Sequence, residues 1–221
     1  MTSTTIRAVA FDLGGTLEHV YYDDALRLEA AAGLRELLAG HGLDPGLAVP
    51  ELLAAVTNGM AAYRAWREVE LIELAPERVW ADYVLPNHGL DRGRLEAVAE
   101  DLALYYETQF FKRTMRPEAP QVLARLRTHG LRLAVISNII SRRLVPHRLQ
   151  EYGIARYFDP VISSCVLGLR KPNPRIFLEA ARLMGLEPAA CAYVGDTISR
   201  DVAGSQQAGY GLAIQIKSFL T

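Results

Sequence analysis

Along the chain, short apolar runs alternate with segments in which apolar positions recur every three or four residues. Short runs bounded by turn formers read as buried strands, and the longer period reads as amphipathic helix. The pattern predicts strands near Ala8–Asp12, Leu131–Ile136, Pro160–Ser163, Cys191–Gly195 and Gly211–Ile216. It predicts helices over Pro120–His129, Ser141–Tyr152, Pro174–Met184 and Arg200–Ala208. A glycine follows each helix (Gly130, Gly153, Gly185 and Gly209) and suits a left-handed C-terminal cap. Pro174 falls in a first turn, where proline is favoured. Strands separated by helices imply an α/β fold, a Rossmann-like parallel sheet with helices on both faces.

Residues 18–112 break the alternation. Apolar positions keep helical period through Leu26, Ala30, Leu34, Leu37 and Leu38, then Leu52, Leu53, Val56 and Met60. Val79 and Tyr83, and then Leu95, Val98, Leu102 and Tyr105, continue it. Turn signals at Gly40-His41-Gly42, Asp44-Pro45-Gly46 and Asn87-His88-Gly89 separate these stretches. The expected organisation is therefore an α/β core of residues 1–17 and 113–221 with a helical domain, residues 18–112, inserted after the first strand.

The chemistry gathers at the strand ends. Ala8-Val9-Ala10-Phe11 runs into Asp12 and then Leu13-Gly14-Gly15-Thr16, so one carboxylate stands beside a glycine turn. Glycines let backbone N–H groups approach an anion closely. In open α/β sheets the carboxyl edge is where ligands bind. A carboxylate beside an anion-binding turn can attack phosphorus once a cation offsets the repulsion. Three later segments supply partners: Ser137-Asn138 closes the second strand, Lys171 precedes the helix begun by Pro174, and Gly195-Asp196 leads on to Asp201.

These four motifs, in this order, resemble the haloacid dehalogenase superfamily, most of whose members are magnesium-dependent phosphohydrolases. The resemblance spans essentially the whole chain and implies that residues 18–112 form the mobile helical cap of that superfamily. It implies Asp12 as nucleophile and Lys171 as the cation that neutralises charge on the nucleophile and phosphoryl oxygens. Gly15, Ser137, Asn138 and Lys171 would hold the phosphoryl group. Asp12, the backbone carbonyl of Gly14 and Asp196 would ligate Mg2+, which keeps several waters and prefers hard oxygens. Thr16 would orient the turn, and Asp201 would stand behind the ion on a metal-bound water or on Lys171.

One position departs from the pattern. Most phosphatases of the superfamily carry a second Asp two residues after the nucleophile as general acid and base; here that residue is Gly14. Such catalysis contributes about two to four orders of magnitude. Glu18 and His19 follow closely, and both read better as surface residues of the linker than as substitutes. Three readings follow. The first is a phosphohydrolase acting on a small phosphorylated metabolite. The second is a metal-independent dehalogenase, against which the Gly-Asp…Asp pattern argues. The third is a catalytically weak protein that binds a phosphorylated ligand or a partner.

Composition narrows the partners. The 221 residues carry a net charge of −1, which gives no electrostatic case for nucleic acid or an anionic membrane. No apolar run approaches the roughly eighteen residues needed to span a bilayer, and the polar start Met1-Thr2-Ser3-Thr4-Thr5 does not read as a signal peptide. Cys165 and Cys191 sit in apolar surroundings and read as free buried thiols, which suits a reducing cytoplasm. Arg64, Trp66, Arg67, Tyr105, Tyr106, Arg113, Arg142 and Arg143 could face a ligand but read first as packing and solvated faces.

Overall fold

The computed structural model describes residues 5–86 and 88–218; Met1–Thr4 of the polar start and Asn87 of the third turn signal lie outside them. In chain order the elements are β1 (Ala8–Phe11), β2 (Glu18–Tyr21), α1 (Asp24–Gly40), α2 (Val49–Glu70) and α3 (Pro76–Val79). α3 runs on as a π-helical turn, Trp80–Val84, before α4 (Arg92–Gln109) and β3 (Lys112–Met115). Then follow α5 (Ala119–Thr128), β4 (Arg132–Ser137), α6 (Leu144–Glu151), β5 (Val161–Ser163), α7 (Ser164–Leu167) and α8 (Pro174–Leu183). β6 (Cys191–Gly195), a π-helical turn at Ile198–Val202, α9 (Ala203–Gln207) and β7 (Leu212–Gln215) complete the described chain. The chain forms two compact units, one holding the segment up to Val20, Arg113–Ile139 and the segment from Val145 onward, the other Tyr21–Lys112 with Ile140–Leu144.

The first unit is built on a five-stranded parallel sheet of order β5-β4-β1-β6-β7. β1 is central and wholly buried, because a parallel sheet covered on both faces selects unbroken apolar strands. Ala8, Ala10, Ala134, Ile136, Cys191 and Tyr193 pack against Ile176, Phe177, Ala180 and Ala181 of α8. Val9, Phe11, Leu133 and Val135, at the alternate positions, are buried too. Phe11 meets Phe158 edge-on, with ring centroids 6.2 Å apart. The chain leaves β1 for β4 and β5 on one side, then returns to β6 and β7 on the other. Such a reversal leaves a crevice at the carboxyl ends of the central strands.

The second unit is helical. Leu34, Leu38, Leu52, Val56, Tyr63, Trp80, Leu95 and Leu102 form its buried core. Asp23 and Asp91 cap α1 and α4 by accepting from Leu26 N (2.8 Å) and Arg94 N (2.7 Å). The residues weighed above as ligand-facing mostly serve packing: Trp66 stacks on Tyr63, Tyr105 Oη donates to Ala30 O at 3.2 Å, and Arg67 pairs with buried Glu73 at 3.0 Å.

Three expectations change. The helix expected from Ser141 starts only at Leu144, and residues 140–144 belong to the helical unit. Glu100 accounts for this, since its carboxylate accepts from Ser141 Oγ (2.7 Å), Arg142 N (3.1 Å) and Arg143 N (3.1 Å), giving those groups a tertiary partner. The helix expected from Arg200 is a π turn followed by the short α9. β2 and β3, which pair as a separate two-stranded sheet, were not expected, because Lys112-Arg113-Thr114-Met115 has no apolar alternation to mark a strand.

Candidate active site

Asp12 follows β1 directly, and its N–H donates to Val194 O of β6 at 2.9 Å, so the ladder itself fixes the carboxylate at the sheet edge. The turn after it closes on one acceptor, Leu13 O, which takes the N–H groups of Thr16 (3.2 Å), Leu17 (2.9 Å) and Glu18 (3.2 Å). Gly15 has φ +80°, and a Cβ there would lie 2.3 Å from Asp196 Oδ2. Only glycine meets both demands. Gly195 is required for a different reason: a Cβ would lie 2.4 Å from Asp201 Cγ. The two glycines thus let three carboxylates draw together. One oxygen each of Asp12, Asp196 and Asp201 lies within 4.8 Å of the others, and all three residues are buried.

Lys171 lies among them. Its ammonium donates to Asp12 Oδ1 at 2.8 Å, Asp201 Oδ1 at 2.7 Å and Tyr193 Oη at 2.9 Å. A lysine beside an arginine reads from sequence as solvated surface, yet Arg170 and Lys171 are both buried. Burial alone would lower the ammonium pKa, but Asp12 and Asp201 outweigh it and raise it. Burial also pushes Asp201 up, and there Lys171 with the Thr197 N–H (2.9 Å) prevails, holding the carboxyl below its ordinary value. Asp12 goes the other way. Burial, with Asp201 and Asp196 adding repulsion, exceeds the pull of Lys171 and lifts its carboxyl to about 7.

The neighbours are held by hydrogen bonds. Asn138 Nδ2 donates to Lys171 O at 2.9 Å and Lys171 N donates to Asn138 Oδ1 at 2.9 Å, a reciprocal pair that ties the end of β4 to the lysine loop. Ser137 is the buried last residue of β4, in register with Ser163 of β5. Asp196 accepts from Thr197 Oγ1 at 3.0 Å and Ser218 Oγ at 2.5 Å. Arg116 donates to Gly15 O (3.0 Å) and Lys217 O (2.7 Å), joining the glycine turn to the segment that carries Ser218. Thr16 does not orient the turn through its hydroxyl: Oγ1 is buried and has no hydrogen-bond partner among the described residues.

Tyr193, Ser218 and Arg116 are site neighbours that sequence reasoning passed over. Tyr193 reads as an apolar strand position, and the other two lie far along the chain from Asp12 with no motif around them. Glu18 is not the surface residue expected; it is fully buried and pairs with Arg113 and with Tyr152 Oη (2.8 Å), whereas His19 is exposed.

The donor set suits a hard divalent cation. Three buried carboxylates outnumber the lysine among them, and hard carboxylate oxygens drawn this close are the donors such an ion prefers.

A model of the haloacid dehalogenase-like hydrolases matches residues 6–209. The chain belongs to this family. A glyceraldehyde 3-phosphate phosphatase of Methanopyrus kandleri is 30% identical over 92% of this chain and 81% of its own. A phosphoserine phosphatase of Thermus thermophilus is 33% identical, covering 67% of this chain and 66% of its own. Among solved structures, a 2-haloacid dehalogenase of Pseudomonas syringae superposes with a TM-score of 0.65 at 27% identity, over 94% of this chain and 85% of that one. A haloacid dehalogenase-family phosphatase of Thermococcus onnurineus shares the fold, with a TM-score of 0.62 at 22% identity over 96% and 86%. As a haloacid dehalogenase-like hydrolase the chain has its family's parallel sheet. Cys165 and Cys191 are buried and neither forms a disulfide among the described residues, and no helix among them is long and apolar enough to cross a membrane.

Proposed function

We infer that this hydrolase is a magnesium-dependent phosphatase acting on a small phosphorylated metabolite, with Asp12 as the nucleophile. The observation that carries the reading is Lys171 bridging Asp12 and Asp201 at 2.8 and 2.7 Å with Asp196 in the same cluster. In the reaction, an Asp12 oxygen attacks phosphorus and displaces the leaving oxygen, forming an aspartyl phosphate. Water then attacks phosphorus and returns the Asp12 carboxylate. Lys171 offsets the charge on Asp12 and on the phosphoryl oxygens as they draw together. Gly15, Ser137 and the backbone N–H of Asn138 bind those oxygens, since the Asn138 side chain is spent on Lys171. Asp12, the Gly14 carbonyl and Asp196 would hold Mg2+, with Asp201 behind it; the ion would supply Lewis-acid neutralisation of the phosphoryl oxygens.

The phosphatase names of the relatives support a substrate of this size and charge. The net charge of −1 favours such a metabolite over nucleic acid, and the buried thiols suit a reducing cytoplasm. Residues 18–112 are proposed as a cap, by the family resemblance. A panel of phosphorylated metabolites and 4-nitrophenyl phosphate assayed with Mg2+ tests the reading. Phosphate release should vanish with EDTA and in Asp12→Asn. The likeness to the Pseudomonas syringae dehalogenase favours one rival. Halide release from 2-haloacids without metal, and no phosphate release, would establish that rival instead.

A further inference from the structure

β6 carries a tyrosine where its neighbours in the sheet are small. Tyr193 pairs with Ala10 of β1 and Ala213 of β7, and its ring lies among the residues packed by α8. It meets Phe177 edge-on at 5.0 Å and Tyr210 at 6.4 Å between centroids, and Tyr210 Oη donates to Phe177 O at 2.8 Å. Tyr193 is 1% exposed, so packing on every side fixes where its hydroxyl stands.

An ammonium has three N–H donors. In Lys171 all three are taken, by Asp12 Oδ1, Asp201 Oδ1 and Tyr193 Oη at 2.8, 2.7 and 2.9 Å. The three acceptors differ in what phosphoryl transfer does to them. Asp12 loses its negative charge once one of its oxygens has bonded to phosphorus. Asp201 and the neutral phenol of Tyr193 are untouched by the transfer. The phenol's own proton has acceptors at Ile136 O and Asp201 Oδ1, each 3.3 Å away, which leaves an oxygen lone pair for Lys171.

Resting on the phosphatase reading, we propose that Tyr193 is a positioning residue for Lys171. With Asp201 it holds two of the three ammonium N–H groups, which keeps the third aimed at Asp12 and, as phosphorus arrives there, at the phosphoryl oxygens. The ammonium is oriented before substrate binds, so none of its rotation has to be stopped at the transition state. A phenylalanine would keep the ring in its slot and delete only the acceptor. One N–H would then be buried without a partner, and the ammonium would be free to turn about its contact with Asp201. The loss falls on the transition state rather than on ground-state binding, because only there does charge gather on the phosphoryl oxygens beside Asp12.

Two measurements test this, the first without metal or substrate. Of the chain's three lysines only Lys171 is buried, Lys112 and Lys217 being exposed. In protein carrying isotope-labelled lysine, the Lys171 ammonium protons should exchange with water far more slowly than the other two sets by NMR. Tyr193→Phe should speed that exchange about 10-fold, the size of one lost charge-assisted hydrogen bond. A wild-type Lys171 that exchanges as fast as Lys112 and Lys217, or an unchanged rate in the variant, would overturn the proposal. The second measurement compares dissociation constants in Mg2+, which do not depend on the fraction of folded protein. Tyr193→Phe should weaken orthovanadate, a mimic of the five-coordinate transition state, about 10-fold and inorganic phosphate less than about twofold. Phe177→Leu disturbs the ring packing but keeps the hydroxyl, so it should lower the melting temperature and leave the vanadate-to-phosphate ratio in place. Equal weakening of both ligands in Tyr193→Phe, or a ratio shifted as far in Phe177→Leu, would overturn the proposal. An active enzyme with an unchanged ratio in Tyr193→Phe would overturn this inference alone. Absence of phosphate release from every substrate would overturn the phosphatase reading beneath it.

Discussion

Replacing Asp12 by asparagine should stabilise the metal-free protein above neutral pH, although it removes an ion-pair partner of Lys171. The carboxyl lies at about 7 in the folded chain against an ordinary value of 3.8. Between these values the folded chain holds a proton that the unfolded chain has released, so stability falls as pH rises through that window. Three units at about 1.4 kcal/mol each amount to roughly 4 kcal/mol lost by pH 8. Asparagine keeps the shape without the charge, and Lys171 retains Asp201 at 2.7 Å. In EDTA, wild-type melting temperature should fall between pH 5 and pH 8 relative to Asp12→Asn. For a chain of this size the gap at pH 8 should reach roughly 10 °C. Adding Mg2+ should close the gap from the wild-type side, because a bound cation takes over from the proton. Parallel pH profiles for the two proteins in EDTA, or a wild type more stable than the variant at pH 8, would refute the charge argument.

Lys171→Met should leave Asp12 and Asp201 buried without the ammonium that bridges them. That change should cost about 3–5 kcal/mol in urea unfolding without metal and lower phosphatase turnover by at least about 100-fold. Unfolding free energies within about 1 kcal/mol of wild type would contradict the bridging geometry. Thr16→Val should leave unfolding free energy unchanged or raised, because the buried Oγ1 has no partner to lose among the described residues. A loss above about 1 kcal/mol on calorimetry would show that the hydroxyl is satisfied after all.

The sheet was legible because its strands are buried on both faces: Ala8-Val9-Ala10-Phe11 and Cys191-Ala192-Tyr193-Val194 show unbroken apolar runs with their chemistry at the carboxyl ends. The acids and the lysine were legible for the same reason, standing where strands stop or helices start. What sequence concealed was supplied from a distance. Glu100 sets the start of α6 from about forty residues away, and no local signal at Ser141 reveals it. Glu18 looked like linker surface because its partners, Arg113 and Tyr152, lie 95 and 134 residues downstream. β3 is polar because it pairs only with β2, outside the buried sheet. Ser218 hides in a segment whose pattern says nothing, and only the fold brings it to Asp196.

The central claim is that phosphorus passes through Asp12. Mixing the enzyme with Mg2+ and acetyl phosphate, quenching in acid and reducing with borohydride should convert an aspartyl phosphate to homoserine, located by peptide mass spectrometry. The account predicts homoserine at position 12, and none when EDTA is present. Undiminished turnover with no modification at that position, or with homoserine formed at another aspartate, would contradict it.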